Sequence, residues 1–283
     1  MFSIHFIKYI EDLLEEEVKE KKPLTGGDIN QVFFLETGTR KLVLKLNSLS
    51  DFPKMFEAEA IGLQELEKAK IFRVPNVIQH GYYENTAFLL LEYIPIGRPV
   101  KSFWMNFGEQ LALMHQKSRP FFGFESDNYI GSLPQCNTDC NSAAEFYITQ
   151  RLYPQFTLAF QKGFSFQNLD AFYSNIEKEI PKQVSSLIHG DLWNGNYIVD
   201  SDGNPCLIDP AVSYAPREMD IAMMHLFGGF DSQLFQTYND VFPLQPNWKD
   251  RIHLWQLYYL LVHLNIFGSS YYDRVQQILK VYT

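Results

Sequence analysis

The stretch His189–Asn196, together with Asp209, constrains this chain more than any other part of its sequence. It reads His-Gly-Asp-Leu-Trp-Asn-Gly-Asn, and Asp209 follows its last residue by thirteen positions. An aspartate such as Asp191 can take a proton from a hydroxyl group during a transfer reaction. Asn196 and Asp209 offer the oxygen ligands that Mg²⁺ prefers in proteins. The segment therefore predicts a site where one carboxylate accepts a proton and two other groups hold a cation.

A predicted β-hairpin explains how the two ends of this motif could meet. Apolar strands are predicted at 197–199 and 206–208, with the turn-forming residues 200–205 between them. Strand pairing would place Asp209 beside Asn196, so that both could reach one metal ion. A turn followed by a helix cap would account for an isolated His-Gly-Asp. It would not account for the complete spacing, which is typical of kinase catalytic loops.

The composition predicts an ordered globular protein and excludes a nucleic-acid partner. The chain has 283 residues, of which 46% are hydrophobic and 20% are charged, so it can bury the core of one large domain or of two lobes. Its 24 basic and 33 acidic side chains give a net charge of −9. Binding to nucleic acids depends on basic surfaces that displace counterions, and this chain has the opposite charge balance.

The sequence also predicts a cytoplasmic protein without a membrane span. Residues 1–20 have the pattern of an amphipathic helix and lack the basic start and long apolar core of a signal peptide. The most apolar region, 254–267, is too short to cross a bilayer and is interrupted by polar residues. Cys136, Cys140 and Cys206 do not have a metal-binding spacing, and we expect free thiols in a reducing compartment.

The predicted secondary structure changes character near residue 92. We therefore expect an α+β, bilobal, protein-kinase-like fold, with a small β-rich N-lobe at 1–91, a hinge at 92–95 and a larger, mainly helical C-lobe at 96–283. The N-lobe is predicted to hold strands at 31–36, 41–46 and 87–91 and a helix at 54–69, and the C-lobe helices at 103–116, 145–160, 220–226 and 248–267.

The predicted N-lobe offers a second test for a kinase, independent of the catalytic loop. Kinases need a strand lysine that meets the nucleotide phosphates and a helix carboxylate that holds this lysine. Lys45 lies in an apolar strand, and Glu57 and Glu59 both lie on the following helix. A lysine that only faces solvent would give the same local pattern. The phosphate-covering turn is irregular, because Gly26 and Gly27 are its only glycines, although their main-chain N–H groups could still face an anion.

Together these residues resemble the fructosamine kinase (ketosamine 3-kinase) family, a branch of the aminoglycoside-phosphotransferase-like small-molecule kinases. The resemblance extends over nearly the whole chain. Asp209-Pro210-Ala211 stands where protein kinases have Asp-Phe-Gly, which separates the family from them. The stretches that carry the resemblance are 26–28, 44–47, 55–63, 91–93, 127–135, 189–196, 209–211, 217–223 and 226–230.

The resemblance implies ATP-dependent phosphorylation of the 3-hydroxyl of a ketosamine, which is an amine modified by a sugar. The product is unstable and releases the free amine, so the reaction removes early glycation damage. The implied cofactors are ATP and Mg²⁺, and the implied partner is a small-molecule or protein-linked ketosamine. The sugar, the amine and the oligomeric state are left open.

The same resemblance implies a role for each site residue. Glu59 rather than Glu57 is the expected partner of Lys45. Trp193 could flank the sugar or pack the catalytic loop, and Asp220 is expected to brace that loop through hydrogen bonds. The remaining implied roles are Asp191 as proton acceptor, Asn196 and Asp209 as Mg²⁺ ligands, Gly26, Gly27 and Lys45 at the phosphates, and the main chain of Leu91, Glu92 and Tyr93 at the adenine.

Two departures from the family pattern affect these expectations. Asp139 and Ala143 stand where the family usually has two tryptophans, and we expect this segment to lie near the acceptor, which puts the usual substrate in doubt. Ala215-Pro216 precedes Arg217 where the family commonly has glycine followed by histidine or aspartate, and Pro216 restricts the local backbone. Cys136 and Cys140 could form a regulatory disulfide or could simply pack as thiols.

Two other functions are compatible with the pattern. One is a kinase for another hydroxylated amine, such as an aminoglycoside or a choline-like compound, since an acidic acceptor pocket would suit any of these amines. The other is a catalytically silent nucleotide-binding protein. The presence of Lys45, Asp191, Asn196 and Asp209 disfavours the silent protein.

Overall fold

The computed structural model describes residues 4–24 and 29–283 and has an antiparallel sheet in its N-terminal part. The five strands lie in the order β1-β2-β3-β5-β4. Two helices accompany the sheet, α1 at Ile4–Leu14 and α2 at Met55–Ala69. The strands are β1 Glu20–Pro23, β2 Gln31–Glu36, β3 Lys41–Ser48, β4 Val77–Tyr83 and β5 Thr86–Glu92. The predicted strands and helix are present with small shifts at their ends, whereas β1 and β4 were not predicted.

The alternation of side chains along β3 decides which residues face the interior of the protein. Leu44 faces α1 and packs with Phe6, Ile10 and Phe88 in one apolar cluster. Successive strand residues point to opposite faces of a sheet, so Lys45 points to the other side, where α2 packs. The lysine is thus directed into the molecule by the same pattern that buries its neighbours.

The C-terminal part is mainly helical. The longest helix, α9, begins at Trp248 and ends at Phe267 as predicted, and most of its length is buried. The predicted helix at 145–160 is three consecutive segments, because Tyr147–Leu152 forms a π-helix between α4 and α5. The helices are α3 Phe103–His115, α4 Ala143–Phe146, α5 Tyr153–Gln161, α6 Leu169–Glu179, α7 Glu218–Phe227, α8 Ser232–Val241, α9 Trp248–Phe267 and α10 Tyr272–Tyr282, with a 3₁₀ turn at Ser269–Tyr271 before the last.

Three short antiparallel ladders hold the loops of the C-terminal part. Pairing of β9 with β10 matches Ile198 with Cys206, which confirms the predicted hairpin with its second strand starting one residue earlier. Pairing of β8 with β11 was not predicted and fixes the segments on either side of the motif. The ladders are β6 Asn128–Ile130 with β7 Leu133–Gln135, β8 Ser186–Ile188 with β11 Ser213–Ala215, and β9 Tyr197–Val199 with β10 Pro205–Leu207.

The α+β class predicted from the sequence is confirmed, with an N-terminal antiparallel sheet followed by a helical part. None of the helices in the described residues combines the length and the apolar character that a membrane crossing requires.

Candidate active site

The backbone of the predicted catalytic loop is fixed by Asp220. Its Oδ2 accepts a hydrogen bond from the His189 main-chain N–H at 2.8 Å, and its Oδ1 accepts one from Gly190 at 2.9 Å. Gly190 has a φ of +83°, and a Cβ there would lie 2.1 Å from the carbonyl oxygen of Ala211, so only glycine fits. His115, which the sequence did not identify, contacts the same carboxylate at 3.2 Å. The bracing role predicted for Asp220 is confirmed.

His189 connects Asp191 to the strand that leads to Asp209. The main-chain N–H of Asp191 can only donate, so His189 accepts it through Nδ1 at 3.2 Å. The hydrogen of the neutral ring then sits on Nε2, which donates to the carbonyl of Ile208 at 2.9 Å. Burial lowers the pKa of His189, which favours this neutral ring. The histidine of the motif is therefore a positioning residue.

Asp191 and Asn196 are in direct contact. Asn196 Nδ2 donates to the main-chain oxygen of Asp191 at 2.8 Å and to its Oδ2 at 3.0 Å. Burial raises the pKa of Asp191 to about 7; the Asn196 hydrogen bond opposes this shift, and the charges of Asp209 and Asp220 add to it. A carboxylate with a pKa near neutrality is well matched to accepting a hydroxyl proton at physiological pH.

Asp209 lies beside this pair because of the hairpin between them. The main-chain N–H of Ile208 donates to the oxygen of Asn196 at 3.1 Å, which continues the ladder to the residue before Asp209. Asp209 itself has a φ of +54°, a left-handed conformation that few non-glycine residues adopt and that occurs often at functional sites. The expected proximity of Asn196 and Asp209 is therefore observed.

Lys45 is held between two carboxylates. Its Nζ lies 2.6 Å from Glu59 Oε1 and 2.9 Å from Asp209 Oδ1, and the lysine is 4% exposed. Burial alone lowers the pKa of Lys45, but attraction to Asp209 and Glu59 outweighs it and leaves the pKa above its ordinary value. Glu57, the other glutamate that the sequence left open, is exposed on α2. The structure thus pairs Lys45 with Glu59.

Three neighbouring cavities meet at these residues. A polar cavity of about 370 Å³ contains Lys45, Glu59, Asp191, Asn196 and Asp209. An apolar cavity of about 320 Å³ shares Lys45 and Asp209 with it. An aromatic cavity of about 220 Å³ shares Asp191 with the polar one. The apolar cavity is otherwise lined by Leu24, Val32, Val43, Leu63, Pro75, Leu91, Glu92, Tyr93, Ile94, Ile96, Ile198 and Ile208.

The residues predicted to face adenine line the apolar cavity, but two of their N–H groups are already bonded. The main-chain N–H of Glu92 donates to Asn76 at 2.9 Å, and that of Tyr93 donates to Lys41 at 3.1 Å. Leu91 lines the same cavity.

Of the three remaining predicted site residues, the structure describes Trp193 but not Gly26 and Gly27. Trp193 borders both the polar and the aromatic cavity, lies over Gly195 and is 38% exposed. The glycines of the predicted phosphate-covering turn, Gly26 and Gly27, lie outside the described residues.

We expected Asp139 and Ala143 to lie near the acceptor, and both side chains have partners within the protein. The Asp139 carboxylate forms an ion pair with Arg119, and Ala143 is buried in the helical core. Neither lines any of the three cavities. Cys136 and Cys140 are free thiols whose pKa values are raised by burial, so the disulfide alternative is not observed.

A buried arginine behind the site gave no signal in the sequence. Arg151, on the π-helix, donates to the carbonyl of Cys136, to Asn137 Oδ1 at 2.8 Å and to Ser213 Oγ at 3.2 Å. Its guanidinium carbon also lies 4.3 Å from the centre of the Phe146 ring. Because Ser213 lies four residues after Asp209, Arg151 fixes the segment that follows the predicted metal ligand.

Asn128 extends this buried network to the wall of the polar cavity. Its Nδ2 donates to the carbonyl of Val212 at 2.8 Å, and its Oδ1 accepts from Gln135 at 2.7 Å and from Asn137 at 3.1 Å. Tyr258 donates to the other end of Gln135 at 2.6 Å. Because the side chain of Asn128 is bonded at both ends, we assign it to positioning the loop rather than to ligand contact.

Comparison with solved structures supports the fold. An aminoglycoside phosphotransferase in a ternary complex with AMP-PNP and hygromycin B superposes with a TM-score of 0.66 over 98% of both chains, at 14% identity. A structure named for a fructosamine-3-kinase from Haemophilus somnus superposes with a TM-score of 0.89, at 28% identity, over 98% of this chain and 96% of that one. The bilobal kinase-like fold class is therefore confirmed.

Comparison of sequences identifies the family. A protein of Enterococcus faecium named as a probable ketoamine kinase is 41% identical over 266 residues, which cover 91% of this chain and 93% of that protein. The family model described as fructosamine kinase matches residues 4–283. The chain therefore belongs to the fructosamine kinase family.

Proposed function

We propose that this ATP-dependent kinase phosphorylates the 3-hydroxyl of a ketosamine and thereby promotes release of the sugar from the amine. One structural observation supports the proposal in addition to family membership. Asp191 borders both the polar cavity, which holds Lys45 and Asp209, and the adjoining aromatic cavity. A proton acceptor at this junction can meet an acceptor hydroxyl on one side while phosphates occupy the other.

The assignment of Asp191 follows from its environment. Its carboxylate is partly buried at the edge of two cavities, contacts Asn196 Nδ2 at 3.0 Å and has a pKa of about 7. In the proposed reaction the 3-hydroxyl oxygen attacks the γ-phosphorus of ATP, the bond to the β,γ-bridging oxygen breaks, and Asp191 takes the hydroxyl proton. ADP leaves with the electron pair of that broken bond.

The residues present fit a magnesium site in which the protein supplies two ligands and the phosphates of the nucleotide supply others. Asn196 donates to Asp191 through Nδ2, so Oδ1 is the atom that it can offer a cation. Asp209 uses Oδ1 for Lys45 and has Oδ2 for the metal. Among the described residues, no three His, Cys, Asp or Glu side chains cluster as a closed protein cage would require. Bound Mg²⁺ would neutralise charge on the transferred phosphoryl group.

The nucleotide is proposed to lie across the polar and apolar cavities. Lys45, held by Glu59, would meet the phosphates, and Gly26 and Gly27 would cover them. The adenine would lie against the main chain at Leu91, Glu92 and Tyr93, and since two of these N–H groups are bonded elsewhere, carbonyl oxygens and the N–H of Ile94 would serve the base. The division into an N-lobe at 1–91, a hinge at 92–95 and a C-lobe at 96–283 belongs to the same proposal, as does a cytoplasmic location.

The test is ATP consumption with Mg²⁺ against a panel of acceptors. The panel contains ribulose-lysine, erythrulose-lysine, fructose-lysine, an aminoglycoside and choline, with Asp191→Asn as the blank. We expect turnover that requires a ketosamine and is lost in the variant. Turnover only with the aminoglycoside or with choline would move the function to another hydroxylated amine. Absence of turnover with every acceptor would contradict the proposal.

A further inference from the structure

The aromatic cavity beyond Asp191 has a continuous wall of rings. The rings of Trp193 and Phe227 are centred 6.3 Å apart, those of Phe227 and His263 5.0 Å apart, and those of His263 and Phe267 5.4 Å apart. These residues come from the catalytic loop, from the end of α7 and from the end of α9. We call Trp193, Phe227, His263 and Phe267 the aromatic wall. Asp191 is the one acidic side chain among the described residues that line this cavity, so its walls are mainly apolar and aromatic.

Among the residues that the structure describes, no lysine or arginine side chain lines the aromatic cavity. His263 Nδ1 contacts the carbonyl of Tyr259 at 2.7 Å and must donate to it, which leaves Nε2 as an acceptor in the neutral ring. Burial lowers the pKa of His263 and favours this neutral form. Lys45, in the adjoining cavity, is bonded to two carboxylates.

Bond lengths within a ketosamine direct its nitrogen towards this cavity. Four covalent bonds separate the 3-oxygen from the nitrogen, a span of about 5 Å at ordinary bond lengths. If the 3-hydroxyl meets Asp191, the nitrogen and its substituent must occupy space that borders Asp191. The polar cavity is assigned to the phosphates, so the aromatic cavity is the space that is left for the substituent.

We propose that the aromatic wall receives the nitrogen substituent of the ketosamine and selects apolar or aromatic substituents over those with a carboxylate next to the nitrogen. This inference rests on the proposed function and adds the class of amine. Ring faces attract both apolar groups and an ammonium, whereas a carboxylate placed in the cavity would lose water without gaining a cation. Ketosamines of simple arylalkyl amines are therefore better acceptors than ketosamines formed on the α-amino group of free amino acids.

The test uses two acceptors that differ by one carboxylate. They are the ribulose-derived ketosamines of 2-phenylethylamine and of phenylalanine, and kcat/KM is measured for each at saturating ATP and Mg²⁺. We expect the phenylethylamine compound to be preferred by about tenfold or more, since the carboxylate of the other is left unpaired. Equal values, or a preference for phenylalanine, would overturn the inference while the proposed function stands. If neither is turned over and choline or an aminoglycoside is, both proposals fail.

A charge introduced at the rim tests whether the aromatic wall is responsible. Phe267 is 56% exposed at the end of α9, so Phe267→Arg can be accommodated and brings a cation to the cavity. We expect this variant to lower the ratio of the two kcat/KM values by about tenfold, mainly because kcat/KM for the phenylalanine compound increases. Tyr153→Arg is the matched control, because Tyr153 is 62% exposed on α5 and lines none of the three cavities. The same ratio in Phe267→Arg as in the control, with unchanged melting temperatures, would overturn the inference.

Discussion

Lys45 Nζ lies 2.9 Å from Asp209 Oδ1, and this ion pair joins β3 to the loop after β10, 164 residues away in sequence. Glu59 holds the same ammonium from α2 at 2.6 Å. The lysine borders both the apolar and the polar cavity, so its charge lies where a nucleotide would pass from its base to its phosphates. The ammonium of Lys45 therefore links the N-terminal sheet and α2 to the segment that carries Asp209.

Replacing this lysine tests its assignment to the phosphates. Lys45→Met should lower kcat/KM for ATP by about 100-fold or more, because a charge-assisted contact to phosphate is lost. The matched control is Lys41→Met, since Lys41 lies on the same strand but is exposed. Steady-state kinetics at varied ATP provide the measurement. Equal kcat/KM values in the two variants would remove Lys45 from the nucleotide site.

The raised pKa of Asp191 predicts the pH dependence of the reaction. A protonated Asp191 cannot accept a proton, so kcat/KM for the ketosamine should increase as the pH rises through about 7 and then level off. Measurements between pH 5.5 and about 8.5, with coupling enzymes kept in excess, would show it. If kcat/KM did not change with pH across neutrality, the protonation state of Asp191 would not control the reaction.

The same pKa predicts an effect on stability with a definite sign. Folding raises the pKa of Asp191 from 3.8 to about 7, so between these pH values the folded state binds more protons than the unfolded state. The contribution of this group to the free energy of unfolding therefore declines as the pH rises from about 4 to about 7. Asp191→Asn should lack this decline and gain stability relative to the wild type at pH 8. Urea unfolding at pH 5 and pH 8 measures it, and a difference between the two proteins that is independent of pH would contradict it.

The buried network behind Asp209 should affect both stability and metal use. Arg151→Met removes four donated hydrogen bonds, to Cys136, Gln150, Asn137 and Ser213, and should lower the free energy of unfolding by about 3 kcal/mol. Because Ser213 would no longer be held, the Mg²⁺ concentration for half-maximal rate should also rise. Arg274→Met, at an exposed position on α10, is the control. If Arg151→Met lost stability but kept the same Mg²⁺ dependence, Arg151 would stabilise the fold without affecting the metal site.

Sequence patterns predicted those parts of the protein that depend on local structure. The ends of α9, the β9–β10 hairpin and the strand that carries Lys45 are set by periodicity and turn residues, and each was predicted, whereas the direction of the lysine side chain was left open. The contact of Asp220 with the catalytic loop also followed from the family resemblance.

The parts that depend on convergence of distant segments were not predicted. In the aromatic wall, the packing of α7 on α9 brings Phe227 to His263 and Phe267, and Trp193 joins them from the catalytic loop. The ion pair between Asp139 and Arg119 was not predicted either, because a position in a family pattern does not reveal which side chain lies opposite it. β8 and β11 have three residues each, too few for a periodic signal.

Phosphorus NMR of the product tests the central claim most directly. The enzyme is incubated with ATP, Mg²⁺ and ribulose-lysine, and the site of the new phosphate ester is read from its couplings. Asp191→Asn is run in parallel after its ATP affinity has been confirmed. The account predicts a phosphate on the 3-oxygen with the wild type and a rate lower by about 1,000-fold with the variant. A phosphate on another oxygen, or an equal rate in the variant, would contradict it.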